Sequence, residues 1–152
     1  EEAFAYFEKL DQNVGQYAKS GFTAAQKTAT GEYLIGLDFI HDQLLMKKFG
    51  FNISSVVPKG AGWEIGCVSM IKNCPNSKTA RAFLDFMTDK EAGRLHTNLT
   101  ERISTRFDVP IPLTSRPLAE IPINMDYDFY LAAKLKTEYL KIWEERIVRM
   151  NR

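Results

Sequence analysis

The residues best placed for chemistry lie together at one point. Gly31-Glu32-Tyr33-Leu34-Ile35-Gly36-Leu37-Asp38-Phe39-Ile40-His41-Asp42 is an apolar run of strand length that follows a Gly-Glu turn and stops at Asp38, His41 and Asp42. An imidazole can donate or accept a hydrogen bond, and a carboxylate accepts a pair of them, so His41 and Asp42 suit the recognition of hydroxyl groups. The same side chains are acceptable metal ligands and a feasible acid–base pair. A second group, Ser20, Gly21 and Thr23, precedes an Ala-rich helical pattern. There it reads as an N-cap and as an anion seat of free backbone N–H groups.

Hydrophobic periodicity supplies the elements that must position these residues. Ala3, Phe4, Phe7 and Leu10 predict a short amphipathic helix, a brief extended piece follows at 14–17, and a helix is predicted over 24–30. The run 31–39 predicts a strand, 44–50 a helix of about two turns closed by Gly50, and 52–57 another strand. Pro58-Lys59-Gly60-Ala61-Gly62 breaks the pattern ahead of a long predicted strand at 63–71. Asn76 or Ser77 is placed to cap a helix striped by Ala80, Phe83, Leu84 and Met87, and a further helix is predicted over 90–99. Prolines 110, 112, 117 and 122 predict an irregular connector over 100–126. The longest helix, over 127–148, carries Tyr130, Leu131, Leu135, Tyr139, Ile142 and Trp143 as a packing stripe. Alternating strands and helices predict an α/β class in which ligands sit beyond the carboxyl ends of the strands, where His41 and Asp42 stand. So long a connector predicts a chain that visits two lobes.

Composition narrows the functions. The 152 residues hold 45% hydrophobic and 26% charged side chains, the profile of a globular protein with a real core. Twenty basic against nineteen acidic residues leave a net charge of +1, so nothing points to nucleic acid, and the Lys47-Lys48 pair reads as a solvated helix face. There is no apolar stretch of roughly 18 residues and no signal-peptide pattern at the start. The chain opens without Met, directly in a helical pattern, as a processed chain or the C-terminal piece of a longer one would. Cys67 and Cys74 read as two ordinary thiols.

The residues also resemble a family. Gly31-Glu32-Tyr33 with Ile35-Gly36, then His41-Asp42, Pro58-Lys59-Gly60-Ala61-Gly62-Trp63-Glu64-Ile65-Gly66, Ile71-Lys72-Asn73, Ala80-Arg81-Ala82-Phe83-Leu84-Asp85-Phe86 and the closing Asp126-Tyr127-Asp128 helix follow one another in this order. In that order they are similar to the C-terminal half of periplasmic solute-binding proteins of ABC transporters, in the branch that includes the ferric-ion and hexose-phosphate binders.

The resemblance implies a two-lobed α/β protein, the type 2 periplasmic-binding-protein architecture, with ligand held in the cleft between lobes. On this reading residues 1–58 belong to the second lobe, 59–104 to the crossover and elements of the first lobe, and 105–152 to the connector and a returning C-terminal helix. A missing N-terminal half would carry the other cleft wall, and unpaired surfaces would favour dimerisation or strand exchange. The adjacent tyrosines of ferric binders are replaced here by Asp38-Phe39-Ile40. His41, Asp42 and Glu64 instead resemble the hexose-phosphate branch, whose His-Asp pair and later Glu hold sugar hydroxyls. Trp63 would cover an apolar sugar face, and Ser20, Gly21 and Thr23 are candidates for the phosphate. The resemblance implies a small-molecule ligand, a permease as partner, a periplasmic or cell-surface location, no cofactor and no enzymatic activity. A metal carrier using His41, Asp42 and Glu64 is the alternative within transport. A hydrolase lacks a nucleophile elbow or a phosphate-cradling glycine loop, and the sensing domain of a transcription regulator lacks a visible helix-turn-helix.

Overall fold

The computed structural model describes residues 1–148, and residues 149–152, the end of the predicted 105–152 segment, lie outside the described residues. Two compact units form, Glu1–Ala18 with Met125–Arg152, and Lys19–Asn124.

The first unit pairs α1 (Glu2–Asp11) with α2 (Phe129–Arg146). Their contact is aromatic and edge-on: Phe4 meets Tyr139 at 5.7 Å, and Phe7 and Tyr17 meet Trp143 at 5.3 and 5.5 Å between ring centres. Such T-shaped pairs add roughly 0.5–1.5 kcal/mol each beyond the area they bury. Arg146 closes the unit by donating to Glu8 at 2.7 Å and Glu1 at 3.1 Å. The Asp11 carboxylate is buried and accepts from the Tyr17 hydroxyl, and burial together with that bond pushes the phenol up to about 12. Asp128 caps the long helix through Leu131 N at 2.9 Å, so helix formation starts two residues later than its apolar pattern suggests. The predicted stripe packs unevenly: Tyr130 is 92% exposed, whereas Leu135, Ile142 and Trp143 are half-buried, and Ile147, just past the helix, is fully buried.

The second unit holds four helices: α3 (Gly21–Ala29), α4 (Ile40–Lys48), α5 (Ser77–Met87) and α6 (Lys90–Thr100). Gly31 and Gly50, at φ +79° and +89°, end α3 and α4. There Glu32 N reaches back to Lys27 O at 2.9 Å and Phe51 N to Met46 O at 3.1 Å, the backbone pattern that a left-handed glycine allows. Asp89 caps α6 through Ala92 N at 2.8 Å. Helix α4 packs against both α3 and α6, and α5 against α6. Ala25, Leu44, Met46, Ala92 and Val109 form the buried core of this unit. As the prolines predict, the connector is irregular apart from a single 3-10 turn at Leu118–Glu120.

The predicted strands are a correction. None of 31–39, 52–57 and 63–71 forms a strand, and sheet-like pairing among the described residues is limited to one parallel bridge, Ala61 to Ile123. The described part of the molecule is helical, not α/β. A strand exists through backbone bonds to a neighbour, so β-rich composition cannot make one where no neighbour lies alongside. The side chains show the same lack: Leu34 is 97% exposed, and Ile35, Leu37, Val56 and Ile71 are nearly as open.

Within the 31–39 run Gly36 is the point of close approach. A Cβ there would stand 2.6 Å from Thr28 Oγ1 and 2.9 Å from the Ala24 carbonyl oxygen, both on α3. Gly36→Ala therefore costs about 1–3 kcal/mol, the range for overpacking a filled contact. Gly62→Ala faces open space and stays within about 0.5 kcal/mol. Urea unfolding of both variants checks this, with a lowered midpoint and unchanged slope expected for Gly36→Ala alone.

Candidate functional site

The start of α4 carries the site. Phe39 enters the helix with extended backbone at φ −75°, ψ 140°, and the first turn then presents His41 and Asp42 side by side. Asp42 in a first turn is favoured by the helix dipole, and Lys47 and Lys48 in the last turn complete the same pattern. The start of α3 lies against this turn. A Cβ on Gly21 would sit 3.0 Å from the Phe39 ring and 3.4 Å from Asp42 Oδ2. The Phe39 ring in turn stacks on the His41 imidazole, with centres 5.4 Å apart and planes 21° apart.

His41 Nε2 accepts a hydrogen bond from Arg102 Nε at 3.1 Å and lies 3.5 Å from Asp42 Oδ1. An arginine has only donors, so Nε2 must offer its lone pair, and the imidazole proton sits on Nδ1. Burial lowers the His41 pKa. Asp42 and Glu64 oppose that shift, while Arg102 and His96 add to it. The two histidines of the chain thus share one neighbourhood. Asp42 is buried, and no donor contributes a hydrogen bond to its carboxylate among the described residues.

The corner that delivers Arg102 is rigidly held. Glu101 ends α6 in the left-handed region at φ 57° and is only 4% exposed. Its carboxylate accepts from Lys48 Nζ at 2.6 Å and from the Thr114 hydroxyl. Lys48 also donates to the Asn98 carbonyl, so the side chain read as solvated is a tie between α4 and α6.

Asp38 stands beside the same turn. One oxygen accepts from Gln43 Nε2 at 2.5 Å and the other is buried without a partner. Burial pushes its pKa up; the Gln43 bond works against the shift and the Asp42 charge adds to it.

The remaining sequence candidates divide. Glu64 is exposed and within electrostatic reach of His41. Trp63 is half-buried and donates through Nε1 to the Asn124 carbonyl at 2.8 Å. With Gly60 N to Pro122 O and Asn124 N to Ala61 O, both at 2.8 Å, that bond fixes the crossing segment. Ser20 is the N-cap of α3, but its side chain caps no N–H, and the helix begins at Gly21 rather than Ala24. Asn76 likewise precedes α5 without a side-chain cap. Thr23 lies in the first turn of α3, and no hydrogen bond joins it or Ser20 to His41 or Asp42 among the described residues. Cys67 and Cys74 are free thiols. No group of three or more His, Cys, Asp or Glu is disposed to hold a metal ion among the described residues, so the geometry gives the alternative of metal carriage no support.

His96, Glu101 and Arg102 are the members that sequence reasoning missed. His96 carried a weak signal as the second of two histidines, whereas Glu101 and Arg102 lay in a segment read as connector.

Two opposed pH effects follow. The folded-state pKa of His41 is depressed, so its contribution to stability is complete above the unfolded value of about 6.5 and is lost as pH falls through the folded value. His41→Gln flattens that part of the stability curve. The folded-state pKa of Asp38 is raised, so its contribution is present below the unfolded value of about 3.9 and is lost as pH rises through the folded one. Asp38→Asn accordingly raises the midpoint of thermal unfolding at pH 7, with the gain shrinking toward pH 3.5. Thermal unfolding of the wild type and both variants between pH 3.5 and 8 checks the two signs.

A family model for bacterial extracellular solute-binding proteins matches residues 1–117. An uncharacterized protein of Haemophilus influenzae is 34% identical over 158 aligned residues, which cover 96% of this chain and 43% of that relative. The chain therefore spans less than half the length of the curated relative it matches.

Proposed function

The chain belongs to the bacterial extracellular solute-binding protein family, and from that premise we propose that it captures a small anionic solute, a hexose phosphate or related organic phosphate, and delivers it to the permease of an ABC import system. Capture takes place in the periplasm or at the cell surface and involves no turnover. Among the described residues no helix is long and apolar enough to cross a membrane.

The observation that carries the reading is Asp42, a mostly buried carboxylate beside an imidazole, whose oxygens accept no hydrogen bond from the described residues and, unlike Asp38 Oδ2, still meet solvent. A carboxylate that water still reaches at the edge of a buried turn can exchange that water for a pair of sugar hydroxyls. His41 in its Nδ1–H form keeps a donor for a neighbouring hydroxyl while Arg102 occupies its acceptor nitrogen. Glu64 is assigned a second pair of hydroxyls. Asp38 is a supporting residue in this scheme, and Trp63 holds the segment that carries Glu64. Ser20, Gly21 and Thr23 stay candidates for the phosphate, because α3 turns its N-terminal end toward Asp42. The exposed apolar run 31–39 is assigned to pairing with strands from the remainder of a longer protein, in keeping with the 43% coverage of the relative.

The test is a thermal-shift panel of glucose 6-phosphate, glucose, inorganic phosphate and ferric citrate. A ligand at about 100 times its Kd stabilises the folded protein by roughly 2.7 kcal/mol, a shift of a few degrees. Glucose 6-phosphate is expected to give that shift and Asp42→Ala to abolish it. A shift with ferric citrate alone would remove the sugar-phosphate reading.

A further inference from the structure

Arg102 differs from its near neighbours in the chain. Arg94 and Arg106 each find a carboxylate, Glu91 and Asp108 respectively. Arg102 finds an imidazole, through Nε alone. A guanidinium carries five N–H donors in a planar fork, so four remain on its two terminal nitrogens. Those nitrogens form no ion pair or hydrogen bond among the described residues, although Glu101 is its neighbour in sequence and Asp42 and Glu64 lie around His41. Glu101 is already engaged by Lys48 and Thr114, which removes the carboxylate most able to quench Arg102.

Most exposed arginines lose binding energy to side-chain freedom. Arg102 has given up much of that freedom beforehand, because its backbone follows a clamped, left-handed corner and its Nε is held by His41. A preset planar fork with open terminal donors is the arrangement that binds a carboxylate or phosphate in two parallel hydrogen bonds. The carboxylates of Asp42 and Glu64 would repel an oxyanion placed between them, so the two chemistries must divide within one solute: its anionic end on Arg102, its hydroxyls on the acidic side of His41.

Building on the solute-capture reading above, we propose that Arg102 is the charge-reading residue of this site, taking an oxyanion of a hydroxylated solute on its terminal nitrogens. The phosphate role is thereby moved from the start of α3 to the end of α6. Specificity follows: a neutral sugar meets only the hydroxyl partners, and an oxyanion without hydroxyls meets only Arg102.

The test is calorimetric titration of the full protein with glucose 6-phosphate, gluconate, glucose, inorganic phosphate and citrate, repeated on Arg102→Gln, Arg102→Lys and Asp42→Ala. At least one anionic probe is expected to bind, to weaken by about tenfold or more in Arg102→Gln, and to recover in part in Arg102→Lys. Any affinity for glucose is expected to stay within about twofold. Phosphate esters and carboxylates are separated by whether glucose 6-phosphate or gluconate shows the larger loss. The His41 pKa, followed by NMR, is expected to rise in Arg102→Gln, a change that confirms the contact in solution. Anion binding that survives Arg102→Gln unchanged, or no anion binding at all, overturns the assignment. Glucose 6-phosphate binding lost in Asp42→Ala but kept in Arg102→Gln defeats Arg102 and leaves the capture reading standing. Citrate or gluconate binding that needs Arg102, without any for glucose 6-phosphate, keeps Arg102 and defeats the sugar-phosphate reading.

Discussion

The second unit depends on a buried carboxylate that has been given its partners. Glu101 would be costly at 4% exposure if left alone, since a desolvated charge loses several kcal/mol of hydration. Lys48 from the end of α4 and Thr114 from the connector restore it. In doing so they join three pieces of chain, the end of α4, the end of α6 and the connector. The core here is small, with Ala25, Leu44, Met46, Ala92 and Val109 as its buried members, and such a core leaves the angle between helices loosely determined. A charge that must be satisfied from fixed directions is more exacting than a few methyl groups. It sets where α6 ends, and so where Arg102 meets His41.

Legibility from sequence followed the range of the interactions concerned. Helices are local, and one stop signal was readable: Gly50 ends α4 at positive φ, whereas the caps lie at Asp89 and Asp128 rather than at Ser20 or Asn76, where they were expected. The failures were long-range. The runs 31–39, 52–57 and 63–71 have β-rich composition, but composition cannot supply a neighbouring strand. Lys48 looked like a solvated charge because its partner lies 53 residues away. The His41–Arg102 bond spans 61 residues and leaves no trace in local spacing. Asp38, His41 and Asp42 were legible as a cluster because they are close neighbours in sequence, with Asp38 just ahead of the N-cap and the other two in the first turn. The family resemblance carried Glu64, which no spacing argument would have joined to His41.

The exposed apolar runs and the polar site are two sides of one arrangement. Gly36 brings the 31–39 run against α3 closely enough that a methyl group would collide with it. That contact orients Asp38 and Phe39 toward the α4 turn while Leu34, Ile35 and Leu37 face outward. The same peptide thus has a polar end and an exposed apolar flank. Burying that flank would remove a large area of apolar surface from water, and the gain would fall on the segment that leads into the site.

Helix α4 is strapped at both ends by consecutive residues. Arg102 holds His41 near its start, and Glu101 holds Lys48 at its end. Lys48 lies seven positions after His41, a span of about 10.5 Å with each residue turned by about 100° from the last. Inserting or deleting a single residue between them would swing one attachment out of register with the other. Sequence drift in this helix is therefore confined to replacement at fixed length, and any variation in chain length must fall outside the interval from His41 to Lys48.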